Sequence, residues 1–165
     1  MRKIYILDTS ALVHDPSAYK HFTHSDVIIP IIVLTELDKL KKQFNEAGKN
    51  ARMSARLIDE VSNMGNIGVG ILLENDILLK IDTTHYDLNH VDFNGFGDHN
   101  YGDTQILACV YRAWQQHPTH DVTLVSNDIN LRIKAKSRGI DAQSHDDVKY
   151  SLNELYNGVR TIINE

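Results

Sequence analysis

The chain is poor in the residues that staple, kink or anchor a polypeptide. Its one cysteine, Cys109, leaves no partner for an internal disulfide and excludes a Cys-based zinc pattern. Three prolines and nine glycines among 165 residues, with no repeat or low-complexity tract, leave no linker to divide it. No apolar run approaches the ~18 residues that span a bilayer. The first run, from Ile4, meets Asp8 after four apolar residues, too soon for a signal peptide. An excess of positive charge is also missing: 17 Lys and Arg face 22 Asp and Glu, a net charge of −5. That excludes a strongly basic nucleic-acid clamp but leaves room for a local basic patch. What is present, 42% hydrophobic and 24% charged residues, is ordinary for a globular domain. The expectation is a soluble, cytoplasmic chain with no membrane contact. It forms one domain over residues 1–145, and residues 146–165 are a tail packing on it or extending from it.

Strand and helix patterns alternate along that domain. Ile4–Leu7 is an uninterrupted apolar run, suited to a strand buried on both faces. Val27–Leu34 is a second, and Pro30 within it demands a bulge or an early end. Helical spacing follows over Thr35–Phe44, with Leu37, Leu40 and Phe44 on one stripe. It resumes over Ala51–Met64 after a break at Gly48. Ile67–Asp82 reads as a hairpin turning at Asn75-Asp76. Thr83–Gly102 is the longest loop, Asp103–Gln116 a helix, Val122–Val125 a strand, and Asp128–Arg138 a helix capped by Gly139. The alternation indicates an α/β fold with a mostly parallel sheet. Ligands of such sheets bind beyond the carboxyl ends of the strands.

Acids occupy those ends. Asp8 follows the first strand, Glu36 the second and Asp128 the strand ending at Val125, while Asp103 opens a helix. Each alone has an ordinary explanation as an Asx turn or a helix N-cap. Together, four carboxylates at one edge repel and raise one another's pKa unless a cation intervenes. An all-oxygen acidic site suits Mg²⁺ or Mn²⁺, as one or two ions, rather than zinc. Such a site activates water and stabilises a phosphoryl transition state, which points to phosphodiester hydrolysis. Thr9, Ser10, Ser126 and Asn127 adjoin the acids and suit the orientation of a carboxylate or a bound water, or ordinary turn chemistry.

The ordered segments LDTSALVHDP, VIIPIIVLTELDKLKK, GKNAR, YGDTQILA and LVSNDINLRIKAKSRGI resemble the PIN-domain nucleases, in particular the PIN domain at the N-terminus of PhoH-like proteins. The resemblance runs from about Ile4 to Ile140. It implies a PIN-like fold, a twisted parallel sheet flanked by helices, and a metal-dependent endoribonuclease activity on single-stranded RNA. The acids it carries over as catalytic and metal-holding are Asp8, Glu36, Asp103 and Asp128, supported by Ser10, Ser126 and Asn127. Two departures stand out. Thr104 and Asn130 occupy positions near these motifs where many PIN domains hold a further acid. The chain also has no GxxxxGK[ST] phosphate loop for the ATPase domain that PhoH-like proteins add. Such a domain in a longer parent protein is an expected partner, and a homo-oligomer stays open.

Basic residues flank the acids. Lys39–Arg56 carries a local charge of +5 and Asp128–Arg138 one of +3. Lys39, Lys42, Lys49, Arg52, Arg56 and Arg132 are therefore candidates for contact with a phosphate backbone, against the commoner fate of a solvated helix face. Glu74–Asp103 has seven acids against Lys80 alone, a face that repels RNA. Tyr86, Phe93, Phe96 and Tyr101 there suit either base stacking or anchoring of the loop. The nine histidines show no HExxH and no third ligand beside any pair, and read as surface residues. Two alternatives to the endoribonuclease remain: a catalytically weak PIN-like module that binds RNA or protein, and a structure-selective DNA 5′-nuclease. A haloacid-dehalogenase-type phosphatase and a von Willebrand A-type site each fail by one residue, at Ser10 and Leu12.

Overall fold

A computed structural model describes residues 2–86, 101–150 and 152 of the chain. Its centre is β1 (Lys3–Leu7), whose apolar run is buried on both faces because parallel neighbours flank it and helices cover it. Asp8 ends that run and caps α1 (Thr9–His14), a helix the sequence pattern does not announce because it is six residues long. A 3₁₀ turn at Ala18–His21 then leads to β2 (Ser25–Pro30).

Pro30 resolves the second apolar run. It ends β2 and stands as the N-cap of α2 (Ile31–Leu40), so Ile31–Leu34 is helical rather than strand. Phe44 lies beyond that helix and is fully exposed, off the expected stripe. Gly48 does not break the next helix but sits inside α3 (Glu46–Ser62), which Asn45 caps. A Cβ at Gly48 would lie 2.0 Å from the Gln43 carbonyl oxygen, so glycine permits the tight α2–α3 turn. The predicted hairpin is present as β3 (Ile71–Leu73) and β4 (Ile77–Asp82), antiparallel. Its turn uses Asn75 and Asp76 with φ of 61° and 59°, a conformation these residue types tolerate.

Three elements complete the sheet and its cover. Helix α4 (Tyr101–Gln116) begins two residues before the expected start, and Trp114 is 45% exposed rather than part of the buried stripe. Strand β5 (Asp121–Val125) and helix α5 (Ile129–Ser137) follow as read, with Gly139 at φ 78° after the helix. A short β6 (Asp141–Gln143) was not legible, and residues 145–150 are helical with Val148 buried. Residues 87–100, with Phe93, Phe96 and most of the span Thr83–Gly102 expected as a loop, lie outside the described residues.

The six strands run in the order β3-β4-β2-β1-β5-β6, all parallel except β3 on β4. The chain leaves β1 toward β2 and β4 on one side, then crosses back to β5 and β6 on the other. The reversal between β1 and β5 opens a crevice at their carboxyl ends, the place where such sheets bind ligands. Among the described residues no helix is long and apolar enough to cross a membrane.

Candidate active site

Asp8 lies at the mouth of that crevice and is 5% exposed. Its position follows from the sheet: its backbone N–H donates to the Val125 carbonyl at 3.0 Å, extending the β1–β5 register by one residue. Oδ1 accepts from the Thr9 backbone N–H at 2.6 Å. Oδ2 accepts from the hydroxyls of Ser10 and Ser126 at 2.8 and 2.7 Å. Burial raises the Asp8 carboxyl above its ordinary value and the Asp103 charge adds to this, while the three hydrogen bonds pull the other way.

Glu36 projects from α2 and is driven further. Burial, followed by repulsion from Asp8 and from Asp103, pushes its carboxyl up to about 7. Its Oε1 and the Thr9 hydroxyl are both buried outside hydrogen-bond geometry, yet Thr9 stands near enough to Glu36 to oppose part of this rise. Gly102, in the first turn of α4, is what admits this carboxylate: a Cβ there would sit 2.9 Å from Glu36 Oε1. Asp103 follows it, at a helix N-terminus that favours negative charge. Its Oδ2 faces the Lys134 ammonium of α5 at 3.2 Å.

The structure thus brings Asp8, Glu36 and Asp103 within electrostatic reach of one another from β1, α2 and α4. Asp128 is the exposed N-cap of α5, its Oδ1 accepting from the backbone N–H groups of Asn130 and Leu131. No three of the four acids bring ligand oxygens within 4.8 Å of one another. The buried, unpartnered Glu36 oxygen beside two further carboxylates is a donor set that fits a hard divalent cation.

The small polar residues form a brace. Ser126 Oγ and Ser10 Oγ are 3.1 Å apart. The backbone N–H of Asn127 donates to Ser10 Oγ at 2.9 Å, and that of Asp128 to Ser126 Oγ at 3.1 Å. The Asn127 side chain turns the other way, its Oδ1 accepting from the His145 backbone N–H at 3.1 Å. Among the basic candidates, Arg132 donates to the Ser126 carbonyl at 2.7 Å, and Arg52 to the carbonyls of Lys41 and Gln43 at 2.6 and 3.2 Å. Lys39, Lys42, Lys49 and Arg56 are exposed on α2, the turn and α3.

Sequence reasoning missed Gly102 and Lys134, whose roles arise only when α4 meets α2 and α5. Tyr86 anchors its segment, donating to Asp82 and exchanging two backbone hydrogen bonds with the Gln105 amide at 3.0 and 2.8 Å. Tyr101 is exposed, with its hydroxyl on the His85 ring. The histidines are not all surface residues: His145 is 1% exposed.

A mostly parallel, doubly wound sheet with acids gathered at its switch point places a cation-binding donor set where such folds bind ligands. A family model for the PIN domain matches residues 5–146. The chain belongs to the PIN domain family, and its homology supports a nuclease-type function. It is 32% identical over 170 residues to protein PhoH2 of Bacillus subtilis, which covers 98% of this chain and 37% of that protein. It is 33% identical to protein PhoH2 of Mycolicibacterium smegmatis, covering 87% of this chain and 32% of that one. The chain therefore spans about a third of the length of these curated relatives. Among solved structures, the PIN domain of human SMG5 superimposes with a TM-score of 0.55 at 17% identity, covering 90% of this chain and 97% of that one. A domain of a functionally unknown protein from Methanocaldococcus jannaschii gives 0.56 at 18% identity, covering 86% and 90%. Both show likeness of fold alone.

Proposed function

We propose that the chain is an endoribonuclease that hydrolyses phosphodiester bonds of single-stranded RNA with Mg²⁺ or Mn²⁺. The observation that carries this reading is the convergence of Asp8, Glu36 and Asp103 at the β1–β5 switch point, with Glu36 raised to about 7 by burial and like charge. A site so charged is relieved by a cation. When bound, that cation supplies an activated water and neutralises charge developing on the phosphate. Asp8, Glu36 and Asp103 would hold it, and Asp128 would approach from the rim on the substrate side. Ser10 and Ser126 keep the Asp8 carboxylate in one orientation by donating to the same oxygen. Lys39, Lys42, Lys49, Arg52 and Arg56 would track the phosphate backbone as it enters the crevice. Since the PhoH2 relatives are about three times longer, the working partner in this reading is an ATPase domain of the PhoH-like kind.

One observation favours a binding module instead. Lys134 already neutralises Asp103 at 3.2 Å, and Asp128 is engaged as a helix cap, so two of the four acids have other partners. The test is incubation of end-labelled single-stranded RNA and DNA with pure protein in Mg²⁺, Mn²⁺ or EDTA. RNA cutting that EDTA stops, and that Asp8→Asn abolishes, supports the nuclease. Binding without cutting supports the module, and cutting of DNA alone overturns the choice of substrate.

A further inference from the structure

A second constellation lies behind the acidic edge. Asp15, the C-cap of α1, accepts at one oxygen from two imidazoles: His21 Nε2 to Oδ2 at 3.2 Å and His145 Nε2 to Oδ2 at 3.1 Å. The ligand atoms of the three residues all lie within 4.8 Å of one another. They come from three elements: the end of α1, the 3₁₀ turn before β2, and the segment after β6. Asp15 is aimed by Ser17, whose backbone N–H and hydroxyl donate to the other carboxylate oxygen at 3.1 and 2.9 Å. His145 is 1% exposed, and its Nδ1 has no partner among the described residues, so Nε2 carries all the polar contact of the ring.

We propose that Asp15, His21 and His145 form a binding site for a zinc-class divalent transition-metal ion, separate from the hard-cation site at Asp8. Two imidazole nitrogens and one carboxylate oxygen are a donor set such ions take, and Mg²⁺ does not. Around a tetrahedral ion with bonds of ~2.1 Å, neighbouring ligand atoms stand roughly 3.4 Å apart. The two separations here, 3.1 and 3.2 Å, are close to that; for an ion to enter, each imidazole takes the tautomer with its proton on Nδ1, or loses its second proton to solvent if charged, and turns its Nε2 lone pair from Asp15 toward the ion. A fourth position is left for water. The ion would join residues 130 apart in sequence and fix the segment after β6 to α1. It would also act on the acidic edge. The His145 backbone N–H donates to Asn127, Asn127 donates to Ser10, and Ser10 donates to Asp8, at 3.1, 2.9 and 2.8 Å. The metal thus braces the Asp8 carboxylate from behind.

The test titrates Zn²⁺ and Co²⁺ into the EDTA-stripped 165-residue chain, followed by calorimetry, thermal melting and visible absorption of Co²⁺. One saturable equivalent is expected, with a raised Tm and the absorption of a four-coordinate nitrogen and oxygen shell. His21→Gln and Asp15→Asn, at half-exposed ligands, should each weaken binding by about tenfold or more. Circular dichroism checks that each variant folds. Asp8→Asn should keep the Zn²⁺ site, with affinity changed by no more than about a few-fold through the His145–Asn127–Ser10 link. The double change His117→Gln with His120→Gln, a ring pair 5.0 Å apart that is the obvious competing surface site, should leave the affinity unchanged. Absence of saturable binding to the folded wild-type chain overturns the proposal. So does affinity that persists in His21→Gln, or that disappears with either control. None of these readouts depends on cleavage, so failure here is distinguishable from failure of the nuclease reading.

Discussion

At Glu36 burial and like charge act in the same direction. Both favour the protonated carboxyl, so folding raises its pKa from 4.5 to about 7. The stability this contributes is complete below the ordinary value and is lost as pH rises through the raised one. Burial of His145 lowers the pKa of that ring, which acts oppositely over part of the range, so the comparison must be with a variant. In EDTA, Glu36→Gln is expected to gain on wild type between about pH 4.5 and 7, by at most about 3 kcal/mol. Urea unfolding across that range measures it, and a constant difference would show that folding does not raise the Glu36 carboxyl. Asp8 carries the same sign: its pKa is also raised, so Asp8→Asn should fold at least as stably as wild type near neutral pH. Its cleavage rate should fall by about a hundredfold or more, read from labelled RNA.

At the scale of elements, the acidic edge depends on how closely α4 approaches α2. Gly102 provides that approach, since any Cβ would meet Glu36 Oε1 at 2.9 Å. Alanine is the better helix former and Gly102 lies in the first turn of α4, so Gly102→Ala should leave the helix intact. It should nevertheless displace the Glu36 carboxylate and weaken Mn²⁺ binding by about tenfold. Calorimetry with Mn²⁺, beside an unchanged melting temperature, checks both halves of the prediction. Pro30 works at the same scale. By ending β2 and opening α2 at Ile31, it sets Glu36 in the second turn of the helix, within electrostatic reach of Asp8.

For the whole molecule, stability resides in the central strands and not in the charged rim. Leu124 of β5 is wholly buried, in register with Ile6 and Ala142. Leu124→Ala should cost about 2–5 kcal/mol in denaturant unfolding, the range for a cavity in a packed core. RNA affinity should instead follow the charge distribution. With a net charge of −5 overall and +5 within Lys39–Arg56, binding is expected to weaken steeply with salt. The double change Arg52→Ala with Arg56→Ala should reduce the salt slope, measured by fluorescence anisotropy on a single-stranded probe.

The sequence by itself determined the α/β class, the strands β1, β2 and β5, the hairpin turn and the acids after the strands, because apolar runs and turn residues are local signals. It also carried the family resemblance, since that rests on ordered motifs. It did not determine α1 and β6, which are too short to show a period, or the helical start at Ile31, where an apolar run reads alike as strand or helix. Only the tertiary structure decided which acids meet. Asp8, Glu36 and Asp103 come within electrostatic reach because strand order closes β1 against β5 and Gly102 lets α4 reach α2, whereas Asp128 also caps α5 through its Oδ1. The same holds for Asp15, His21 and His145: partners separated by up to 130 residues have no spacing to read, and burial of one imidazole is a property of packing.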